Sequence, residues 1–161
     1  MGAEAWLRGS GIPENAPTFD SHRLQALWRL ADGWSEGQRP DPEGARGWST
    51  AEWLVYLQRL PRNLGAEGCA WLDAHFDLNG SGNAEILGEW LVMAATSAYE
   101  PAYDRIRSFL GSVGRMKFLK PLYAALHRGE ATRPMAKELY DAYRERYHPI
   151  ARIGLEILLA E

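Results

Sequence analysis

The sequence predicts an all-α fold: a right-handed α-α superhelix, a two-layer solenoid of about eight short helices. Three observations predict it. Apolar residues recur at spacings of three and four through successive short segments. No stretch shows the period-two alternation, bounded by turn signals, that a half-buried strand would carry. Capping residues, glycines and prolines punctuate the chain at short intervals, so connections are short and neighbouring helices antiparallel. No clean sequence repeat accompanies this pattern, so the repetition is structural only.

Each element follows from local chemistry. Residues 1–20 read as a lead-in, broken by Gly9, Gly11, Pro13 and Pro17, and 21–161 as the helical domain. Asp20 or Ser21 can cap a helix carrying Leu24, Leu27, Trp28 and Ala31. Residues 35–47, with Gly37, Pro40, Pro42, Gly44 and Gly47, read as a loop. Ser49 and Glu52 form a capping box ahead of a helix with Trp53, Leu54, Leu57 and Leu60 inward, and Pro61 ends it. A helix over about 66–76 turns Cys69, Leu72 and Phe76 inward. After the turn at Asn79–Gly82, Asn83 caps a helix with Ile86, Leu87, Trp90 and Leu91. Pro101 starts the next, with Tyr103, Ile106, Phe109 and Leu110; Gly111 and Gly114 break the chain. Pro121 is placed at the start of a helix reaching Gly129. Thr132 caps one with Met135, Leu139, Tyr140 and Tyr143, and Pro149 opens the last, with Ile150, Ile153, Ile157 and Leu158.

Composition narrows the function. The 161 residues are 46% hydrophobic and 24% charged, the profile of one globular domain. At this length folding buries roughly 70% of the unfolded surface, so no disulfide or metal is needed. One cysteine, Cys69, allows no intrachain disulfide and fits a reducing, cytoplasmic compartment, with export as the alternative. A net charge of −3 argues against nucleic acid as partner. No apolar run reaches the roughly 18 residues of a membrane span, and Met1–Glu4 does not begin a signal peptide. The four histidines, His22, His75, His127 and His148, are scattered, and no His-Glu-x-x-His occurs.

Several motifs have structural readings. Asp77, Asn79, Ser81 and Gly82 match an EF-hand loop, but position twelve is Gly88, where calcium needs a bidentate carboxylate. Cys69, on an apolar face, reads as an inert thiol. His75 and His148 read as packing or helix-start residues, and no Gly-x-Ser-x-Gly elbow occurs. Trp28, Trp53, Trp71 and Trp90 lie on predicted apolar faces and read as core.

The sharpest feature is a charge asymmetry. From Arg105 to Gly129 there is no Asp or Glu, yet Arg105, Arg107, Arg115, Lys117, Lys120 and Arg128 lie there. At its centre is Gly114-Arg115-Met116-Lys117-Phe118. In an extended segment residues two apart point the same way, so Arg115 and Lys117 could converge on one anion. A guanidinium grips a carboxylate bidentately and an ammonium adds a point charge. The competing reading is a solvated or internally paired surface.

With these residues in view, the chain resembles the C-terminal helical domain of the leukotriene A4 hydrolase/aminopeptidase family, zinc metallopeptidases of the gluzincin type. The resemblance runs from Trp6-Leu7 and Gly11-Ile12-Pro13 through Asn83-x-Glu85-Ile86 with Trp90. It continues through Gly114-Arg115-Met116-Lys117-Phe118 with Pro121-Leu122-Tyr123, and closes on His148-Pro149. It implies a two-layer solenoid of armadillo/HEAT type that packs on a catalytic domain and helps wall the substrate cleft. It also implies that Arg115 and Lys117 bind the C-terminal carboxylate of a peptide substrate. The family's zinc motif and its Gly-x-Met-Glu-Asn exopeptidase motif are absent from this sequence. The resemblance therefore implies no catalytic residue, no metal site and no cofactor in this chain, with zinc in the full-length enzyme. The implied partners are the catalytic domain of the same polypeptide and a peptide, and the chain alone is expected to be inactive. The alternative is a stand-alone helical-repeat scaffold for protein interactions.

Overall fold

A computed structural model describes residues 22–160; the lead-in at 1–20 and the Asp20 or Ser21 cap lie outside the described residues. The described residues hold nine α-helices and no strand. They are α1 (His22–Asp32), α2 (Pro42–Ala45), α3 (Thr50–Arg59), α4 (Gly65–Phe76), α5 (Ala84–Thr96), α6 (Tyr103–Ser112), α7 (Met116–Arg128), α8 (Arg133–Tyr143) and α9 (Pro149–Ala160). The additional helix is α2, inside the segment read as a loop. Pro42 occupies its first turn and the Asp41 carboxylate caps it, accepting from the Gly44 N–H at 2.7 Å. The same segment opens on a 3-10 turn over Gly33–Glu36.

Alternate helices form one row: α1 packs on α3, α3 on α5, α5 on α7 and α7 on α9. Helices α4, α6 and α8 build the second layer, α4 and α6 against α5 and α8 against α7 and α6. This is the helical superhelix that the sequence predicts. Helices α1, α3, α5 and α7 run parallel, because polar clasps join like ends. Arg23 pairs with Glu52, Asn83 Nδ2 donates to Thr50 Oγ1 at 2.8 Å, and Lys117 pairs with Glu85, all near helix starts. At the other end Arg59 grips Asp32 with two bonds of 2.6 and 2.9 Å.

Trp90, fully buried, sits at the middle of the core. Its Nε1 donates to Asn79 Oδ1 at 2.9 Å, and Asn79 Nδ2 donates to Asp73 Oδ2 at 2.7 Å. The calcium-like loop is thus a structural turn: Asn79 is committed to Asp73 and Trp90. Gly88 sets the closeness of α5 and α7, since a Cβ there would lie 2.9 Å from Phe118 Cδ1.

Two apolar expectations differ from the structure. Trp90 is fully buried and Trp53 and Trp71 pack against the core, as expected, but Trp28 is 45% exposed. On α9 it is Ala151 and Leu155 that are buried, while Ile150, Ile153 and Ile157 face outward. Periodicity places residues on a common face but does not say which face meets a neighbour. Helix α9 is the last of the row among the described residues, and none of them covers this face.

A tyrosine cluster ties α6, α7, α8 and α9 together. Tyr123 Oη donates to Tyr147 Oη at 3.0 Å, and Tyr147 Oη donates to the Leu110 carbonyl at 2.9 Å. Burial pushes both hydroxyls above the ordinary tyrosine value. Tyr140, whose Oη donates to Glu156 Oε1 at 3.0 Å, is pushed up to about 12, first by burial and then by that bond. A raised folded value means the contribution is complete below the unfolded value of 10.0 and is lost as pH rises through about 12. Stability is therefore expected to fall between about pH 10 and 12. Thermal melts by circular dichroism check this, and Tyr140→Phe is expected to shallow the decline.

Candidate functional site

The basic segment opens α7. Sequence reasoning starts this helix at Pro121; it starts at Met116, and Pro121 lies inside it. Arg115 is the N-cap, extended at φ −81° and ψ 128°, and its carbonyl accepts from the Phe118 and Leu119 N–H groups at 2.9 and 3.1 Å. Pro121 removes the bond that its nitrogen would give to the Lys117 carbonyl. The helix continues through it because Phe118, Leu119, Leu122, Tyr123 and Leu126 are all buried on the core side.

This geometry changes the expected pairing of Arg115 and Lys117. Only Arg115 is extended; Lys117 belongs to the first helical turn, so the two do not alternate along a strand. Both are exposed. Lys117 turns to α5, pairs with Glu85 and holds its Nζ 4.7 Å from the centre of the Phe118 ring. Arg115 has no side-chain hydrogen bond or ion pair among the described residues.

The other cations divide in the same way. Arg105 clamps the turn before α5, its Nε donating to the Asn79 carbonyl at 2.9 Å and an Nη to the Ser81 carbonyl at 3.2 Å. Arg107 pairs with Glu138 at 2.7 Å. Arg115, Lys120 and Arg128 have no such bond among the described residues. Half of the basic segment is thus internally satisfied, as the competing reading has it, and half is free.

The open face of the row carries two connected hollows. One, of 150 Å³, is lined by Leu54, Gln58, Glu85, Gly88, Lys117 and Pro121. The other, of 460 Å³, runs along α5 and α7 past Arg62, Glu89, Lys120, Pro121 and Arg128, with Arg62 and Glu89 paired at 3.3 Å. Sequence reasoning places Glu85 in a helix start and misses it as the partner of Lys117. The two lie 32 positions apart, and only the docking of α5 on α7 joins them.

The remaining candidates are structural. The Cys69 thiol is buried, and burial pushes its pKa up, against a partial lowering by a bond with Ser97. His75 Nδ1 donates to the Trp71 carbonyl at 2.7 Å and its ring stacks on Trp71 at 4.1 Å. His148 Nδ1 accepts from the Ile150 N–H at 3.3 Å, the helix-start role its sequence position predicts. Among the described residues no three His, Cys, Asp or Glu side chains gather to hold a metal ion. The described residues therefore offer no ligand set for zinc.

Comparisons with known proteins agree on kinship. The family model "Leukotriene A4 hydrolase, C-terminal" matches residues 48–159. Leucine aminopeptidase 2 of Pyricularia oryzae is 33% identical over 150 residues, covering 91% of this chain and 24% of that protein. Leucine aminopeptidase 2 of Neurospora crassa is 32% identical over 157 residues, covering 95% and 23%. The chain thus spans about a quarter of the length of these relatives. The structure of native yeast LTA4 hydrolase superposes with a TM-score of 0.77 over the whole chain and 29% of that protein, at 24% identity, and so shows the same fold. Matched over most of its length and built as the same helical superhelix, the chain belongs to the leukotriene A4 hydrolase C-terminal domain family.

Proposed function

We propose that this chain is the substrate-recognition domain of a zinc aminopeptidase, packing on the catalytic domain of a longer polypeptide and walling its substrate cleft. Arg115 binds the C-terminal carboxylate of a peptide, and Lys117 lies beside it as a second cation. The observation that carries this reading is Arg115 itself: exposed, without a side-chain partner among the described residues, and held at the start of α7 within the region that matches the family. A guanidinium offers two parallel N–H donors to a carboxylate. The N-terminus of α7 adds the partial positive charge of its unpaired N–H groups. Fixing one end of a short peptide orients its other end toward the reacting centre, which is a positioning contribution. Zinc and its ligands, along with the hydrolytic chemistry, then belong to the rest of the polypeptide.

The test compares peptides that differ only at their C-terminus. The chain joined to a catalytic domain of the family is expected to cleave free-acid tripeptides with a kcat/KM well above that for the matched amides. Equal values would remove the carboxylate role. The purified chain alone is expected to release no product from an aminoacyl reporter and to retain no stoichiometric zinc after dialysis.

A further inference from the structure

Lys117 is exposed, yet its charge is already spent on Glu85, which reaches it from the first turn of α5. Arg115, two residues earlier, has no such partner among the described residues. Glu85 is not needed to cap its own helix. Asn83 does that, its Oδ1 accepting from the Glu85 and Ile86 N–H groups at 2.9 and 3.4 Å. The carboxylate of Glu85 is therefore free to act on its surroundings, and what it faces is Lys117, at the mouth of the 150 Å³ hollow.

We propose that Glu85 is a charge lock on the anion site: by neutralising Lys117 it leaves Arg115 as the unpaired member of that couple among the described residues and sets the strength with which a peptide carboxylate is held. The inference rests on the carboxylate-binding reading above. A carboxylate drawn to Lys117 also meets the repulsion of Glu85, which is in direct contact with the Lys117 ammonium and so unscreened from it. Both partners of the Glu85–Lys117 pair are close to half exposed, at 42% and 43%, and exposed pairs are weak. The lock therefore yields when Lys117 swings to a ligand, and the swing weakens binding. Such a domain holds a peptide end firmly enough to orient it and lightly enough to release it.

The experiment measures binding to the chain itself. Backbone amide shifts are followed while N-acetyl-Ala-Ala, or its C-terminal amide, is titrated into the wild type, Glu85→Gln and the double variant Glu85→Gln/Lys117→Met. Expected are acid-dependent shifts at Arg115 and an affinity about two- to fivefold higher in Glu85→Gln. The amide should show no change, and the double variant should lose the gain. Unchanged or weaker acid binding in Glu85→Gln overturns the lock while leaving the carboxylate site in place. Acid and amide acting alike on the wild type overturns both. A purely structural role for Glu85 would move the melting temperature and treat acid and amide equally, so the ratio of the two affinities separates it from the lock.

Discussion

Replacing Arg115 with alanine is expected to lower kcat/KM for free-acid tripeptides by about ten- to a hundredfold, the worth of a charge-assisted bidentate contact. The measurement is made in the polypeptide that joins this domain to a catalytic domain. The matched amides should be affected by less than about threefold, since they offer no anion for the guanidinium to grip. Among the described residues Arg115 has no side-chain partner to lose, so its removal should change the folding stability by less than about 0.5 kcal/mol. Lys117→Met should weaken the free acids far less than Arg115→Ala, because its charge is already balanced by Glu85. An equal loss on acids and amides would mean that Arg115 shapes the cleft rather than binding the peptide end.

Replacing Trp90 with alanine is expected to destabilise the fold by about 3–5 kcal/mol. The indole is fully buried between the layers and packs edge-on against Tyr99, with ring centres 6.0 Å apart. Removing it opens a large cavity and also leaves the Asn79 Oδ1 acceptor without its donor. The turn that Asn79 organises would loosen with it, because Arg105 is anchored on the carbonyls of Asn79 and Ser81. A melting temperature lower by about 10 °C is the expected readout for a chain of this size. Trp90→Phe, which keeps most of the volume but not the N–H, should recover more than half of the loss. A variant that melted like the wild type would show that the two layers do not depend on this indole.

The helices were legible because capping chemistry is local. The Ser49–Glu52 box and the Asn83 cap both form as their residue types dictate. Start signals failed where tertiary burial outweighed them: Pro121 marks a start in isolation, but the apolar face from Phe118 to Leu126 carries α7 across it. The direction of an apolar face was illegible at the ends of the stack, where Trp28 and the α9 isoleucines face outward. Of the candidate site, the cations could be read from the sequence, but their partners could not. Arg107 meets Glu138 and Lys117 meets Glu85 across more than thirty positions. Those pairings decide which charges are available to a ligand, and they depend on how one helix docks on another.

The parallel row has a consequence that no side chain sets. Helices α1, α3, α5 and α7 start along one edge, so their dipoles point the same way, each with about half a positive charge at that edge. Glu52 and Glu85, in the first turns of α3 and α5, offset part of it. The backbone amides of the row thus lend that edge a positive contribution that no side chain supplies, partly offset by the intervening helices of the second layer, and it is inherited by any sequence that adopts the fold. Substitution can tune that edge, as Arg115 and Glu85 do in opposite senses, but reversing the backbone contribution would require turning the helices around.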